Sequence, residues 1–228
     1  MRKDLEKVRD QVVLQIIKNE VFSYITRGTN LQKNSILELE KLKESITNKK
    51  SEFIKKSDDD GANTCLSLEC LILSLSKEID MLIKLKEDNP HSAWIALVDA
   101  QDYLRASIMA KDLNLNVDGR AHKLEITETY LFPPMMFTSP GFILKNVKCS
   151  ICKENYSSDS CSHLEGRAYM GQFCSTVPEI ETLDHVALVK DPANKRAFIA
   201  NFSDNGKIRD KLTWELTEPK NKENSETN

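Results

Sequence analysis

Four of the six cysteines in this 228-residue chain lie between Cys149 and Cys174, together with one of its four histidines. The stretch reads C-S-I-C-K-E-N-Y-S-S-D-S-C-S-H-L-E-G-R-A-Y-M-G-Q-F-C. Thiolate and imidazole are ligands that Zn2+ prefers, and a C-x2-C pair lets two thiolates reach one ion from a tight turn. The stretch therefore predicts a zinc site, which constrains how the surrounding backbone can fold.

Five side chains compete for the four positions of a tetrahedral zinc site. The tightest set is Cys149, Cys152, Cys161 and His163, and Cys174 can replace either member of the second pair. Unliganded cysteines are a weaker interpretation, because a reducing compartment favours metal binding by such clusters. A redox C-x-x-C is also weaker, because polar loop residues follow where a helix would begin. We predict one bound Zn2+ and leave the choice among the five ligands open.

The donor set favours a structural zinc over a catalytic one. A catalytic zinc keeps three protein ligands and an open position for water, whereas four or five sulfur and nitrogen donors can close the shell. Glu165, two residues after His163, is the carboxylate that a zinc hydrolase would use as its base. In zinc deaminases, however, H-x-E precedes P-C-x-x-C, and here the order is reversed. We predict no catalytic residue and keep a hydrolase that uses Glu165 as an alternative.

Composition limits the class of protein and its partners. Hydrophobic residues make up 40% and charged residues 29% of the chain, which is ordinary for a globular protein. The net charge of −3 argues against a strongly basic nucleic-acid binder. The charged N-terminus has no apolar core of a secretion signal, and no run approaches the ~18 apolar residues of a membrane span. We therefore expect a cytoplasmic protein without membrane contact.

The first half of the chain has the periodicity of helices. Apolar residues recur every three to four positions in four segments, separated by polar or proline-containing breaks. Short connections of this kind favour an antiparallel bundle, while the narrow apolar stripe of the first two segments also fits a coiled-coil arm. Residues 1–115 are predicted to form a helical assembly domain.

The pattern changes after residue 119. Partly alternating β-branched and aromatic residues predict short strands, with Pro140-Gly141 read as a turn inside the second of them. The predicted strands are 123–132, 137–147, 182–190, and 195–202 returning antiparallel to 182–190. Residues 120–216 are thus predicted to form a smaller β-rich, zinc-binding domain, and residues 217–228 a disordered tail. The predicted class is α+β.

The cysteine-rich segment and the strand after it carry a longer pattern, C-x-H-x-x-G-x-x-Y-x-G-x-x-C followed by V-x-L-V-x-x-P-A-N. The matching residues are Cys161, His163, Gly166, Tyr169, Gly171, Cys174, Val186, Leu188, Val189, Pro192, Ala193, Asn194 and Ile199. The pattern resembles an element of phage- and prophage-associated proteins, and it covers roughly the last third of the chain. The resemblance implies a mobile-element or antiviral-defence setting and no defined activity.

These observations predict a non-catalytic, zinc-binding interaction or accessory subunit of a bacterial antiviral-defence or phage-related complex. Its protein partners would bind through the N-terminal helices, and the sequence is also compatible with a homo-oligomer. The first alternative is a nucleic-acid-binding zinc module, because basic residues and aromatic side chains alternate around the cysteines. The residues concerned are Lys145, Lys148, Lys153, Arg167, Tyr156, Tyr169 and Phe173. Nucleic acid is a possible partner that the neutral charge balance does not favour.

Overall fold

A computed structural model describes residues 2–25, 28–113, 115 and 117–219. Within these residues five helices precede seven strands, which confirms the α+β class. The helices are α1 (Arg2–Ile25), α2 (Thr29–Lys55), α3 (Asp59–Lys86), α4 (Pro90–Ala110) and α5 (Val117–Leu131). The strands are β1 (Phe137–Cys149), β2 (Ala168–Tyr169), β3 (Gln172–Phe173), β4 (Thr176–Val189), β5 (Asn201–Asp204), β6 (Lys207–Asp210) and β7 (Leu216–Thr217).

Helix α3 is the centre of the helical layer, and most of its side chains are buried. Helix α2 runs antiparallel beside it, since Lys33 near the start of α2 pairs with Glu87 just after α3, with an Nζ–Oε1 distance of 3.0 Å. Nearer the other end, Lys50 of α2 pairs with the buried Glu69 of α3. Helix α1 packs on both helices through side chains that include Val8 and Val12. An antiparallel bundle and a coiled-coil arm go beyond these contacts and stay predictions.

Helix α4 lies against α3 at serine side chains. The hydroxyl of Ser74 donates to the carbonyl of Ala100 at 2.8 Å, and that of Ser67 to the carbonyl of Ser107 at 2.7 Å. Small hydroxyl side chains let two helix backbones approach closely, and bonding to carbonyls satisfies buried polar groups. Asn89 begins α4 by accepting a hydrogen bond from the backbone N–H of Ser92 at 3.1 Å.

Residues 123–132 were predicted to form a strand, and this prediction is wrong, because helix α5 runs through most of them. β-branched residues favour strands, but here two threonines bond back to the helix. The hydroxyl of Thr127 donates to the carbonyl of Lys123 at 2.8 Å, and that of Thr129 to the carbonyl of Glu125 at 3.0 Å.

Tertiary contacts also fix α5 as a helix. Leu124 is buried in the core, and one turn earlier Arg120 forms a buried ion pair with Glu78 of α3 at 2.5 Å. Lys123 binds the other oxygen of the same carboxylate at 2.6 Å. Residues 120, 123 and 124 share one helix face, so a helix turns the two basic side chains towards α3 while it buries Leu124 in the core. Packing has overridden local propensity here.

Strands β1 and β4 form a long two-stranded antiparallel ribbon. It begins at the pair Phe137 and Val189, and β1 continues through Pro140-Gly141, where a turn was wrongly predicted. The chain stays extended there because each residue of the dipeptide has a partner on β4. The predicted strand 182–190 is confirmed as the second half of β4, apart from its last residue.

The segment 195–202 was predicted to pair with β4, and this prediction is also wrong. It lies instead beside the start of β1, where the N–H of Thr138 donates to the carbonyl of Ala197 at 2.8 Å. The indole of Trp94 on α4 donates to the carbonyl of Lys195 at 3.0 Å and holds the segment against the helices. Strand β5, at the end of this segment, pairs with β6.

The helical core continues into the strand region through aromatic side chains. Trp94 is 1% exposed, and its ring lies 5.3 Å from that of Phe132, 6.1 Å from Phe137 and 6.0 Å from Phe198, measured between ring centroids. These contacts fix the first end of the ribbon to α4.

The division into domains 1–115 and 120–216 stays a prediction. The tail was predicted to start at residue 217, but Thr217 lies in β7. Residues 220–228 lie outside the described residues. Among the helices that the structure describes, none has a stretch that is both long and apolar enough to cross a membrane.

Replacing Trp94 by alanine should destabilise the fold strongly. Because Trp94 is fully packed between helix α4 and the ribbon, we expect Trp94→Ala to lower the free energy of unfolding by about 3–5 kcal/mol. Urea unfolding followed by circular dichroism measures the change. The matched control is Trp214→Ala, since Trp214 is 60% exposed and should cost about 1 kcal/mol or less. Equal losses in the two variants would contradict this account of the core.

Candidate metal centre

The first two cysteines flank the tight turn at the end of β1, since Cys149 is its last residue. The N–H of Cys149 donates to the carbonyl of Glu154 at 2.9 Å, and the N–H of Lys153 to the carbonyl of Cys149 at 3.0 Å. Lys153 has a φ of 66°, in the left-handed region that closes such turns. The N–H of Ile151 points at the Cys149 sulfur, at 3.4 Å. The turn thus directs the thiols of Cys149 and Cys152 to one side and supplies a donor to a thiolate.

Two tyrosines hold the loop that carries His163. The hydroxyl of Tyr169 accepts a hydrogen bond from the N–H of Leu164, and the hydroxyl of Tyr156 accepts one from the N–H of Glu165, both at 2.9 Å. The Tyr169 ring also meets the His163 imidazole edge-on, with 4.8 Å between centroids. These aromatic side chains position the imidazole.

Four of the predicted ligands converge on one point. Their ligand atoms all lie within 4.8 Å of one another, and the residues are Cys149, Cys152, Cys161 and His163. The sulfurs of Cys152 and Cys161 are 3.7 Å apart. A tetrahedral ion with Zn–S bonds of about 2.3 Å holds its ligand atoms roughly 3.8 Å apart, so this cluster can hold one metal ion such as zinc.

The imidazole of His163 provides a further sign of a metal site. Its Nδ1 is buried and has no hydrogen-bond partner among the described residues. Leaving a buried polar atom unsatisfied costs about 1–3 kcal/mol. A metal ion bound among the thiols would supply a partner for the imidazole, so the residues present fit a bound Zn2+.

Cys174, the fifth candidate, lies next to Cys149. The two sulfurs are 3.6 Å apart, and both side chains are buried. The backbone of Cys174 pairs with Gly166 and Arg167, at 2.8 Å in each case, which places Cys174 beside the loop that carries His163. The structure therefore brings together all five predicted residues, and the choice of four ligands stays a prediction.

The thiols strongly influence one another's protonation. Burial raises the pKa of the Cys149 thiol, but hydrogen bonds from the backbone of Cys152 and Ile151 and from Cys174 outweigh burial and lower the pKa to about 6. Burial and the neighbouring Cys149 raise the pKa of Cys174 to about 11. One thiolate therefore disfavours ionisation of the thiol beside it. A bound divalent cation offsets this repulsion and lets further thiols ionise, so metal binding is coupled to proton release.

The hairpin β2–β3 attaches the metal centre to the helical layer. Its turn, Met170 and Gly171, has φ values of 47° and 75°, typical of a tight hairpin turn. The N–H of Gly171 donates to Oδ1 of Asn63 at 2.8 Å, and Nδ2 of Asn63 donates to the carbonyl of Ala168 at 3.3 Å. The N–H of Met170 donates to Asp59 at 2.5 Å. The first turns of α3 therefore support the hairpin that precedes Cys174.

The sequence-based prediction of the site did not include Asn63 and Asp59. Asp59 belongs to a run of aspartates that looks like a solvated loop, but Asn63 carried a usable signal. It is an amide near the start of an apolar helix, and it is only 7% exposed in the structure. A buried amide requires hydrogen-bond partners, and backbone groups of a distant segment are one source of them.

Comparisons of this chain with protein-family models, with curated proteins and with solved structures give no match. The resemblance to phage- and prophage-associated proteins stays a prediction. The assignment of a metal centre consequently rests on geometry, namely the convergence of three sulfurs and one imidazole.

Zinc affinity should show whether His163 or Cys174 binds the ion. We expect one Zn2+ per chain, and we expect His163→Ala to weaken binding by more than about 100-fold, because losing a ligand costs more than losing a supporting residue. Cys174→Ser should retain the ion with a smaller loss. Competition with a chromophoric chelator measures both affinities. Loss of zinc in Cys174→Ser with retention in His163→Ala would instead assign the fourth position to Cys174.

Proposed function

We propose that this chain is a non-catalytic, zinc-binding interaction or accessory subunit in which one Zn2+ is structural. The observation that carries the proposal is the four-atom cluster of three thiols and one imidazole, in which Nδ1 of His163 is buried without a hydrogen-bond partner among the residues that the structure describes. A donor set of this kind fills a tetrahedral shell and leaves no position for a reacting water. The proposed role of the ion is to hold backbone segments together.

Apart from the ion, those segments are joined by turns and by individual hydrogen bonds rather than by long strands. The metal centre connects the end of β1, the loop that carries Cys161 and His163, and the hairpin that docks on α3. The strands of this hairpin are only two residues long. Because so few backbone pairs cannot stabilise a fold in water, an ion would supply most of the local stability.

The two alternatives are less well supported by the contacts around the site. The carboxylate of Glu165 accepts hydrogen bonds from the hydroxyl of Thr176 at 2.7 Å and from its N–H at 3.3 Å, which suits a structural role better than a hydrolytic base. For nucleic acid, two of the basic residues are engaged within the chain. Lys153 donates to the carbonyl of Ser150 at 2.6 Å, and Lys145 lies 3.6 Å from Glu179.

The interaction role is supported by apolar side chains that the first two helices leave exposed. Leu14, Ile17, Leu31 and Leu37 are each more than half exposed. Exposed apolar side chains on adjacent helices are suited to a partner helix or groove. We propose protein partners for this surface, and the antiviral-defence or phage-related setting rests on the sequence resemblance alone.

Removing the metal should unfold the centre while the helices persist. Structural zinc supplies folding free energy of order 10 kcal/mol, so we expect Cys152→Ser, or chelation of the wild type, to abolish amide protection around the cysteines. Hydrogen exchange measured by mass spectrometry reports each segment separately, and α3 and α4 should stay protected. Ser162→Ala, an exposed change between two ligands, is the control. A Cys152→Ser protein that keeps its protection and loses only an activity would refute a structural zinc.

The proposed helical surface can be tested with a change on one face of α1. Leu14→Asp should abolish recovery of a protein partner that cross-links to the first two helices, because it places a charge in an apolar contact. Affinity purification with cross-linking mass spectrometry identifies both the partner and the contact. Gln11→Asp is the matched control, since it adds the same charge at an exposed polar position of the same helix. If both variants retain the partner, the helices are not its binding surface.

A further inference from the structure

The ribbon of β1 and β4 is held at both ends and belongs to no larger sheet in the part of the chain that the structure describes. At one end, Phe137 and Val189 join the helical core. At the other end, Cys149 pairs with Thr176 beside the metal centre. Between the two ends most of its side chains are exposed. An isolated two-stranded ribbon is marginal in water, so one with two fixed ends and an exposed middle needs an explanation.

One face of this ribbon is almost entirely apolar. Along β1 the first eight residues alternate without interruption, so Pro140, Phe142 and Leu144 lie on the same face. Their cross-strand partners are Val186, Leu183 and Ile180, and directly opposed residues of a ribbon share a face. Leu188 extends the same face, because it is the partner of Thr138. We call these seven apolar residues, Pro140, Phe142, Leu144, Ile180, Leu183, Val186 and Leu188, the outer ribbon face.

Two bulges in β4 create this face. The partner of Gly141 is His185, but the partner of Phe142 is Leu183, so Asp184 is passed over. A second shift, between the partners of residues 143 and 144, passes over Glu181. In a strand without bulges, residues 183 and 186 would point to opposite faces, because they are an odd number of positions apart. Each bulge therefore places an acidic residue outside the pairing and keeps the apolar residues together.

The outer ribbon face points away from the helical core at the end where the ribbon is fixed. Phe137 belongs to the opposite face and is buried among helical residues. On that opposite face the His185 ring covers Gly141 so closely that an added Cβ would lie 2.4 Å from it. On the outer face, exposure rises from 45% at Phe142 to 65% at Leu188. A contiguous exposed apolar surface of this kind marks an interaction site.

The edge of β4 is unsuited to pairing with another strand. Pro178 has no N–H to donate, and Glu179 follows it. The bulged residues Glu181 and Asp184 interrupt the ladder further along. Prolines, charges and bulges are the features that prevent edge-to-edge pairing. Contact through the outer ribbon face is therefore favoured over extension of the sheet.

The charges beside the outer ribbon face favour a second copy of this chain as the occupant. β1 carries Lys145 and Lys148 and no acidic residue, whereas β4 carries Glu179, Glu181 and Asp184. Lys145 lies 3.6 Å from Glu179 of its own chain, but both side chains are more than half exposed, so the pair can also face a second copy. Two ribbons packed face to face about a two-fold axis along their length place β1 of one copy over β4 of the other. Basic and acidic strands then lie opposite each other on both sides, as an isologous interface requires.

We propose that the outer ribbon face is a homodimer interface, in which two ribbons pack face to face with their basic and acidic strands opposed. Six of its seven residues are between 45% and 65% exposed, and together they form a contiguous apolar centre of the kind that a standard interface of ~800 Å² per partner needs. The proposal does not depend on the identity of any other partner.

Sedimentation velocity of the full, zinc-loaded chain tests this proposal. We expect a dimer across the range from about 1 to about 100 µM, and Leu183→Asp should weaken it by at least about ten-fold. The matched control is Ile143→Asp on the opposite face, since the two side chains are 53% and 48% exposed and lie on paired strands. The control should leave the dimer unchanged. Zinc content and circular dichroism establish that each variant is folded.

Charge reversal provides a second readout that does not alter the apolar face. Lys145→Glu should weaken the dimer by about ten-fold, and adding Glu181→Lys in the same chain should restore it. A wild-type chain that stays monomeric throughout the range overturns the proposal, as does binding of the outer ribbon face to a different protein by a monomeric chain. A dimer that resists Leu183→Asp, or that Ile143→Asp weakens equally, overturns it as well.

Discussion

The convergence of three thiols and one imidazole is the constraint on which the second half of this protein depends. Uncharged thiols attract one another weakly, and thiolates repel, so their close approach needs an external reason. That reason is either a cation or the surrounding backbone, and the backbone here consists of the end of β1, turns, and a hairpin whose strands are two residues long. The N–H of Ile151 and the unsatisfied Nδ1 of His163 are both arranged for a charged centre. Metal binding and local folding therefore depend on each other in this region.

Sequence reasoning identified the donors of the candidate site because ligand chemistry is local. The order of Cys149, Cys152, Cys161 and His163 is enough to propose a zinc site before any fold is known. The support from Asn63 could not be predicted in the same way, since it joins positions more than a hundred residues apart. Contacts of that kind depend on how helices and hairpins pack, which spacing along one chain does not encode.

The errors in secondary structure have physical causes too. The strand predicted over 123–132 was a helix, because a buried carboxylate on α3 binds two basic residues of one helix face. The partner predicted for 195–202 was wrong, because Trp94 holds that segment on the other side of the ribbon. The bulges at Glu181 and Asp184 disrupt the alternation that identifies strands. Helices α3 and α4 were predicted well, since apolar residues recur through both of them and a polar side chain, Asp58 or Asn89, caps the start of each.

The hydrogen bond between Asn63 and Gly171 has a consequence for how this chain reaches its native state. It closes a loop of 108 residues, whereas the candidate metal ligands lie within a short segment. Local contacts form early, and long-range contacts must wait until the intervening chain is ordered. The cysteine segments can therefore gather around an ion while the helices assemble separately. Docking of the hairpin on α3 then becomes a late step of folding, and its speed is set by topology.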